Sequence, residues 1–239
     1  MRRLNGLRGD IDAALARDPA ARNWLEVVLF YPGFHARAAH RLANALDRSG
    51  VPLLPRAIMH LTRWVTGIEI HPGATIGPRF FIDHGMGVVI GETTEIGTDV
   101  MLYQGVTLGG TSTRRVKRHP TLRDNVTVGA GAKVIGAVEV GENSQIGAGS
   151  VVVTNVPANA TVVGVPGHIV AYRDLSNGTV QRLPDPEWDR INDLERRIEE
   201  LYRELEHVAD HLGQVHTEAH ENGQGDPEPR EARPGPGTP

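Results

Sequence analysis

The chain has 239 residues, a formal net charge of −4 at pH 7 and no cysteine. Its lysines and arginines are scattered, which argues against a nucleic-acid partner, and the lack of cysteine excludes disulfides, thiolate metal sites and a cysteine nucleophile. No apolar run reaches the about eighteen residues of a membrane span and the N-terminus has no signal-peptide pattern, so we expect a cytoplasmic protein without membrane contact.

The N-terminal region, residues 1–66, has the apolar spacing of short helices. Asp18-Pro19 predicts a helix start, because a side-chain acceptor at the N-cap and a proline at the first helical position are both favoured there. This helix is expected to end at Pro32-Gly33, a second at Ser49-Gly50 and a third near Gly67. Three short helices bury little surface alone, so we expect them to cap the first turns of the next region.

Residues 67–172 repeat an aliphatic residue at every sixth position. Such hexapeptide repeats are typical of a parallel β-helix, in which three short strands make one triangular coil. Strands of a β-sandwich recur every 8–12 residues or so and would lose this phase. We therefore predict a parallel β-helix. The aliphatic series is Ile70, Ile76, Ile82, Ile90, Ile96, Leu102, Leu108, Leu122, Val128, Val134, Val140, Ile146 and Val152.

The six-residue phase slips twice. The first slip coincides with Ile82-Asp83-His84-Gly85, and the second lies between Leu108 and Leu122. Insertions in repeat proteins form loops on one face, often the binding face. The second insertion is basic, so it is either a solvated loop or a grip for an anionic ligand. Its basic residues are Arg114, Arg115, Lys117, Arg118 and His119.

The C-terminal part changes character again. Residues 173–186 are predicted to be a polar linker and residues 213–239 a disordered tail. Between them, residues 187–212 carry apolar residues alternately three and four apart, which predicts a heptad helix. It could lie on its own domain, but a stripe confined to a and d positions favours a short coiled coil between subunits. The stripe is Ile191, Leu194, Ile198, Leu201, Leu205, Val208 and Leu212.

Two polar residues at odds with the β-helix pattern suggest catalysis. On coils of about eighteen residues, Glu69 and His84 fall on neighbouring turns, so the carboxylate and the imidazole could approach each other. A histidine held by a carboxylate is suited to act as a general base. The alternative is that His84 is a surface or corner histidine without a chemical role.

Several segments together resemble serine O-acetyltransferases over roughly residues 10–172. The hexapeptides alone indicate only the wider acyltransferase superfamily, whereas the segments around His84 and His119 are more specific. These segments are Asp18-Pro19-Ala20, Gly33-Phe34-His35-Ala36, Glu69-Ile70-His71-Pro72, Ile82-Asp83-His84-Gly85, Val89-Ile90-Gly91-Glu92-Thr93, Gln104 to Thr111, Arg118-His119-Pro120, Gly129 to Lys133 and Gly164-Val165-Pro166.

The resemblance implies a fold and a reaction. The fold is mainly β: a left-handed parallel β-helix with a short N-terminal α-helical cap and a C-terminal heptad helix. The reaction is transfer of acetyl from acetyl-CoA to the hydroxyl of L-serine, the first step of cysteine biosynthesis, with no metal and no permanently bound cofactor. His84 is the expected general base and Glu69 its orienting carboxylate, a position where the family often has Asp.

The resemblance also implies residues that bind the substrates. Asp18 and Asp83 are expected to face the serine amine, while Arg118 and His119 hold its carboxylate, for which the planar fork of arginine is well suited. Acetyl-CoA is expected to lie in a groove between two prisms. Its expected contacts are Gly110, Thr111, Ala130, Gly131 and Lys133.

A groove between prisms requires a neighbouring copy, so a homotrimer is expected. Larger relatives use a longer N-terminal helical domain to pair trimers, and the short N-terminus here makes a hexamer doubtful. Relatives that bind O-acetylserine sulfhydrylase insert a C-terminal isoleucine, whereas this chain ends with Gly235 to Pro239. A cysteine synthase complex through that route is therefore not expected.

Three other functions fit parts of the pattern. A related acyltransferase could act on a sugar or antibiotic hydroxyl, but such substrates do not need both Asp83 and Arg118. A prism-shaped carbonic anhydrase would need zinc on His71, His84 and His119, and lacks the close histidine pair expected of that site. A non-enzymatic scaffold would tolerate replacement of His84.

Overall fold

Four helices precede the strands in the computed structural model, which describes residues 2–183 and 186–222. The chain divides after Leu183 into two compact units. The helices of the first unit are α1 (Arg2–Arg17), α2 (Trp24–Phe30), α3 (Pro32–Arg48) and α4 (Leu54–Thr66), and the second unit contains α5 (Pro186–Asn222).

Two predicted helix boundaries are wrong. Asp18-Pro19 does not start a helix: it follows α1, and Asn23 caps α2 by accepting a hydrogen bond from the Glu26 amide at 3.0 Å. The Asp18 carboxylate instead accepts from the Ala20 amide at 2.8 Å, a short turn that uses the same residue type as an N-cap. Pro32-Gly33 begins α3 rather than ending a helix, because proline lacks only an N–H that the first helical turn leaves unused.

Sixteen short strands follow within the described residues. Their bounds are β1 (Glu69–Ile70), β2 (Thr75–Ile76), β3 (Phe81–Ile82), β4 (Val89–Ile90), β5 (Glu95–Ile96), β6 (Met101–Leu102), β7 (Thr107–Gly109), β8 (Thr121–Leu122), β9 (Thr127–Val128), β10 (Lys133–Ile135), β11 (Glu139–Val140), β12 (Gln145–Ile146), β13 (Val151–Val152), β14 (Ala160–Val163), β15 (His168–Arg173) and β16 (Val180–Arg182).

The strands form three sheets whose members recur every third strand. The first sheet is β1-β4-β7-β10-β13, the second is β2-β5-β8-β11, and the third runs from β3 through β6, β9, β12 and β14 to β15 and β16. All pairs up to β14 are parallel, whereas β15 and β16 pair antiparallel. The predicted parallel β-helix is therefore confirmed.

The six-residue series lines the interior of this prism. In the first sheet Ile70 stacks on Ile90, Leu108, Val134 and Val152 in unbroken register. All members of the series are buried except Ile76, which is partly buried against the core. Full burial of such a side chain contributes about 1.5–3 kcal/mol, so the stacked columns supply the main stabilisation of this unit.

Helix α3 covers the open end of the first coil. The Arg37 guanidinium donates to the Ile76 carbonyl at 2.8 Å, and the Asn44 amide donates to the carbonyls of Pro72 at 2.7 Å and Ala74 at 3.2 Å. These carbonyls belong to the terminal coil, which has no preceding coil to pair with. Side chains of the helix thus satisfy an edge that would otherwise pair with another chain.

The C-terminal boundaries differ from the prediction. The polar linker expected over residues 173–186 contains β16, because the chain folds back to extend the third sheet by a hairpin. Helix α5 continues to Asn222, past the predicted end at residue 212, so the first ten residues of the predicted tail are helical. Residues 223–239 lie outside the described part of the chain. None of the helices described combines the length and apolar character needed to cross a bilayer.

A buried histidine predicts how stability depends on pH. His40 in α3 is 1% exposed, and burial together with Arg37 lowers its pKa to about 3. The unfolded chain, with an ordinary histidine pKa near 6.5, then binds more protons between these two values, so stability falls as the pH drops through this window. When the pH is lowered from 7 to 5, His40 should reduce the free energy of unfolding by about 2 kcal/mol.

The His40→Gln variant provides the matched measurement. Glutamine does not titrate. The free energy of unfolding, measured with urea, should therefore decrease between pH 7 and pH 5 by about 2 kcal/mol less in this variant than in the wild-type chain. Other histidines titrate in both proteins and cancel. Equal decreases would show that His40 does not carry the effect.

Candidate active site

The two insertions of the repeat lie on different edges of the prism. Edge 1 is the corner between the third and first sheets, and its insertion follows β3 at Asp83 and His84. Edge 2 is the corner between the first and second sheets, and its insertion follows β7 and contains Arg118 and His119. Most predicted site residues lie on one edge or the other.

His84 lies at an exposed and strained turn of edge 1. Its φ of +57° is in the left-handed region, which a non-glycine residue adopts at some energetic cost. The turn is held on both sides: the Gly87 amide donates to Gly67 at 2.9 Å and the Gly105 amide donates to Met86 at 2.9 Å. A rigid corner therefore presents the imidazole to solvent, and no described residue hydrogen-bonds to the ring.

Asp18 is brought to edge 1 by the start of α3. Gly33 is buried, and a Cβ there would overlap the carbonyl of Ile82, so only glycine lets α3 approach the strand this closely. As a result the Tyr31 ring packs on Phe81 with a centroid distance of 6.4 Å, and the Tyr31 hydroxyl donates a hydrogen bond to Asp18 Oδ2.

Acidic groups surround the Tyr31 hydroxyl. Burial raises its pKa first, and the hydrogen bond to Asp18 and the negative charges of Asp18, Glu26 and Asp83 raise it further. The phenol therefore stays protonated and can only donate to Asp18. Asp18 and Asp83, predicted to bind one amine, thus act on the same phenol and give this part of edge 1 a negative potential.

Glu69 has a different partner from the predicted one. It lies on β1 in register with Val89, one coil below the His84 turn, and its Oε2 forms an ion pair with Arg63 Nη1 at 2.8 Å. Both side chains are about half exposed. No hydrogen bond joins Glu69 to His84 within the described residues, so the orienting role of Glu69 stays a prediction.

Thr93 organises the residues of edge 2. Its hydroxyl accepts hydrogen bonds from the amides of Arg118 at 3.0 Å and His119 at 3.1 Å, and lies 2.9 Å from His119 Nδ1. Its carbonyl accepts from Lys117 Nζ at 2.6 Å. One threonine thereby fixes three consecutive residues at the end of the insertion.

These contacts determine the tautomer of His119. Its Nδ1 accepts a hydrogen bond from the Thr93 amide at 3.2 Å, so the proton of the neutral ring belongs on Nε2. Burial lowers the pKa of His119, and the neighbouring Arg118 charge lowers it further. The ring packs directly over Gly91, where a Cβ would overlap it. At neutral pH His119 is therefore a fixed neutral donor.

Arg118 is held by a carboxylate. Its guanidinium donates to Glu92 and to the Arg114 carbonyl at 3.2 Å. Burial raises the pKa of Glu92, but the hydrogen bond from Arg118 and the charges nearby outweigh it and keep the pKa below its usual range. Lys117 also contacts Glu95 at 3.1 Å. The basic insertion is thus partly held against the prism, while Arg114 and Arg115 remain exposed.

The predicted acetyl-CoA contacts divide between the edges. Ala130, Gly131 and Lys133 lie on edge 1, where Lys133 Nζ donates to the carbonyls of Gly105 at 3.1 Å and Gly131 at 3.3 Å. Gly110 and Thr111 begin the edge 2 insertion. The structure does not bring these two groups together within one chain.

The distance between the edges sets what one chain can bind. A side of the triangle spans about six residues, which at the rise of a strand is roughly 15–20 Å. One small ligand cannot bridge the edge 1 carboxylates and the edge 2 cations of the same copy. The same separation keeps His84 away from His71 and His119, and no group of three potential metal ligands converges among the described side chains.

Four residues of this arrangement were not predicted: Tyr31, Arg63, Glu92 and Thr93. Glu92 and Thr93 belong to a segment that carried the resemblance, but no role followed from their spacing. Tyr31 lies between α2 and α3 and Arg63 lies in α4, and the sequence does not give the orientation of these helices toward Asp18 and Glu69.

Two family models match parts of the chain. The model "Serine acetyltransferase, N-terminal" matches residues 3–39, and "Bacterial transferase hexapeptide (six repeats)" matches residues 119–154. The serine acetyltransferase of Bacillus subtilis (strain 168) is 54% identical over 214 residues, which cover 87% of this chain and 97% of the relative.

Solved structures give the same result. The serine acetyltransferase of Neisseria gonorrhoeae in complex with serine is 39% identical, with a TM-score of 0.68 over 70% of this chain and 68% of that one. The serine acetyltransferase of Brucella abortus strain S19 in complex with coenzyme A is 42% identical, with a TM-score of 0.69 over 72% and 68% of the two chains.

The hydrogen bonds of Thr93 predict a proteolysis pattern. Trypsin should cut the native chain after the exposed Arg114 and Arg115 and spare Arg118, whose backbone Thr93 holds. Thr93→Val removes the hydroxyl that accepts from the Arg118 and His119 amides, and each lost hydrogen bond costs about 1–3 kcal/mol in a buried setting, so cleavage after Arg118 should accelerate about tenfold or more. Mass spectrometry of early fragments measures this.

The control is Thr75→Val, which changes an exposed outward position of β2. It should leave the cleavage pattern unchanged. An unchanged rate after Arg118 in Thr93→Val would mean that Thr93 does not hold the insertion.

Proposed function

The chain belongs to the serine acetyltransferase family and is a serine O-acetyltransferase, and we propose that edge 1 of one copy and edge 2 of another together form its active site. The reaction joins the acetyl group of acetyl-CoA to the hydroxyl of L-serine. A sugar or antibiotic hydroxyl as acceptor is not favoured by the relatives, which are serine acetyltransferases.

The main support for this proposal is that the acidic groups lie on edge 1 and the basic group Arg118 lies on edge 2. L-Serine is a zwitterion, so its amine needs a negative partner and its carboxylate a positive one. Asp18 and Asp83 supply the negative partner on edge 1, while Arg118 and the neutral donor His119 supply the other on edge 2. Because one copy holds these groups too far apart, two copies must meet at the substrate.

The proposed mechanism begins with proton removal by His84. A serine hydroxyl is almost fully protonated at neutral pH, so His84 takes its proton as the oxygen attacks the thioester carbonyl carbon. The tetrahedral intermediate collapses, the carbon–sulfur bond breaks, and the imidazolium returns the proton to the leaving CoA thiolate. O-acetyl-L-serine and CoA are released, and the enzyme regains its starting protonation state.

The left-handed conformation of His84 fits this role. A strained corner held between two coils fixes the backbone from which the ring extends, so the position of the base is set before the substrate arrives. Proton transfer by a positioned base contributes about 10²–10⁴-fold to the rate. We propose that Glu69 adds orientation, with Arg63 limiting where its carboxylate can reach.

We propose that Arg118 and His119 bind the carboxylate of L-serine together, one as a charged donor and the other as a neutral donor. Arg118 supplies charge and shares its guanidinium with Glu92, which keeps the fork in place before the substrate arrives. His119 supplies an Nε2–H donor fixed by Thr93. We propose that the substrate carboxylate lies between these two donors.

Acetyl-CoA is a co-substrate rather than a bound cofactor. We propose that it lies along the cleft between the edges, with backbone groups of Ala130 and Gly131 on one side and of Gly110 and Thr111 on the other. Lys133 lies on the same edge as His84 and is the proposed partner of the phosphates.

The proposed assembly is a homotrimer. A prism with three sides offers edge 1 to one neighbour and edge 2 to the other, so a closed ring of three copies completes three equivalent sites.

A mixing experiment tests the shared site. His84→Ala and Arg118→Ala should each be nearly inactive alone. Unfolded together, mixed one to one and refolded, they should recover about one quarter of wild-type activity, because random assembly gives each site an intact His84 and an intact Arg118 with that probability.

The matched control mixes His84→Ala with Asp83→Asn, which damages the same edge. No site in this mixture has an intact edge 1, so activity should not exceed the mean of the two single variants. If the first mixture recovers nothing although wild-type chains refold, the shared site is wrong.

A second experiment tests Tyr31 as a positioning residue for Asp18. Tyr31→Phe keeps the ring packed on Phe81 but removes the hydrogen bond. The KM for L-serine should rise about tenfold, since hydrogen bonds to charged groups contribute about 1.5–3 kcal/mol, while the KM for acetyl-CoA stays unchanged.

The control is Tyr103→Phe, at another half-buried tyrosine of the same apolar cluster. It should change neither KM. Equal effects on both substrates in Tyr31→Phe would indicate a general structural role instead.

A further inference from the structure

Helix α5 carries an apolar stripe with no cover in the described structure. The helix runs from Pro186 to Asn222 in the second compact unit. Six aliphatic side chains along one side of it are between 45% and 64% exposed. Isolated exposed leucines are ordinary on a protein surface, but a continuous row of six is not. These residues are Ile191, Leu194, Ile198, Leu201, Leu205 and Val208.

The spacing of the stripe identifies the kind of surface that covers it. The six residues are alternately three and four apart, so they occupy only the a and d positions of successive heptads. A helix that packs on a globular domain normally has a wider apolar face that includes e or g positions. Here four of the six flanking positions are charged, at Arg190, Glu195, Arg197 and Glu204, and the other two hold Tyr202 and Ala209, a pattern that suits a narrow helix-to-helix seam.

We propose that this stripe is the seam of a parallel, in-register coiled coil formed by the α5 helices of three copies of this chain. The occupant is a second copy because the stripe is self-complementary: layers of Ile191, Leu194 and Ile198 pack on the same layers of the neighbouring helices. All helices related by a cyclic axis point the same way, so a trimer requires a parallel coil. The number three rests on the proposed function.

Charges beside the stripe agree with the parallel arrangement. In a parallel coil a g residue faces the e residue five positions later on the neighbouring helix. Arg190 at g then faces Glu195 at e, an attractive pair, while Arg197 faces the neutral Tyr202 and Glu204 faces Ala209. None of these three pairs brings like charges together.

The residue types in the seam permit three strands. Ile191 and Ile198 at a with leucines at d favour two strands, but Leu205 at a with Val208 at d reverses that pattern in the next heptad. Because the a and d residues do not favour one number of strands, we take the number of helices in the coil from the proposed threefold arrangement of the prisms. The coil would hold the copies together when the protein is dilute, and so preserve sites that need two copies.

Because the chain contains no cysteine, single substitutions can locate the seam by disulfide formation. Leu194→Cys and Val208→Cys, at d positions, should each give rapid covalent dimers under mild oxidation of the full chain at micromolar concentration. Arg203→Cys, at the exposed f position, is the matched control and should cross-link at least about tenfold more slowly.

The same variants test direction. In a refolded mixture of Leu194→Cys and Val208→Cys chains, a parallel coil should give disulfides only between identical positions. Disulfides between positions 194 and 208 would reveal an antiparallel pair and overturn the proposal. So would d-position rates equal to or below the f-position rate, which would show that the stripes of different copies do not meet.

A second pair of variants tests the consequence for assembly. Leu194→Gln with Leu201→Gln keeps helix propensity but makes the seam polar, whereas Arg196→Gln with Arg203→Gln makes the same change at exposed f positions. In sedimentation, the trimer of the seam variant should dissociate at a protein concentration at least about tenfold higher than that at which the control trimer dissociates. Specific activity should fall at the same dilution and be normal in concentrated samples.

These readouts separate the coil from the enzyme mechanism. Cross-linking and sedimentation do not depend on catalysis, so an inactive protein with efficient d-position disulfides would contradict the proposed function and leave the coil intact. A dimeric mass in sedimentation would contradict the three-stranded coil. Equal dissociation of the seam variant and its control would contradict a role of α5 in assembly.

Discussion

Each aliphatic side chain inside the triangular coil must stack on the one a full turn before it, and this stacking fixes where every corner of the prism lies. Ile70, Ile90 and Leu108 stay in register although the chain between them changes length. Extra residues can therefore leave the prism only at a corner. The two insertions that do so carry His84 on edge 1 and Arg118 with His119 on edge 2, and the rigid core holds both in place.

The division of charge between the edges follows from this constraint. Edge 1 gathers Asp18 and Asp83 around Tyr31, and edge 2 fixes Arg118 and His119 through Glu92 and Thr93. A chain with both sets of groups at one place would neutralise them internally. Separation instead keeps the two sets from pairing with each other, and in the proposed shared site a zwitterionic amino acid contacts both sets where two copies meet. The proposed dependence of the site on assembly thus follows from the prism geometry.

The sequence predicted the parts of this structure that depend on local pattern. The six-residue series gave the β-helix, and the slip at His84 and the insertion before Arg118 gave the corners. Asp18 was misplaced as a helix cap, because a cap and a short turn use the same residue type. Tyr31 and Arg63 were missed because their partners Asp18 and Glu69 depend on how helices pack on the prism, which one sequence does not encode locally.

The most direct test of the account is a crystal structure of the full chain with L-serine and CoA bound. It should show each serine between two copies, with its amine toward Asp83 and its hydroxyl toward His84 of one copy, and its carboxylate on Arg118 and His119 of the next. A serine whose ammonium and carboxylate groups both contact residues of a single copy would contradict the shared site.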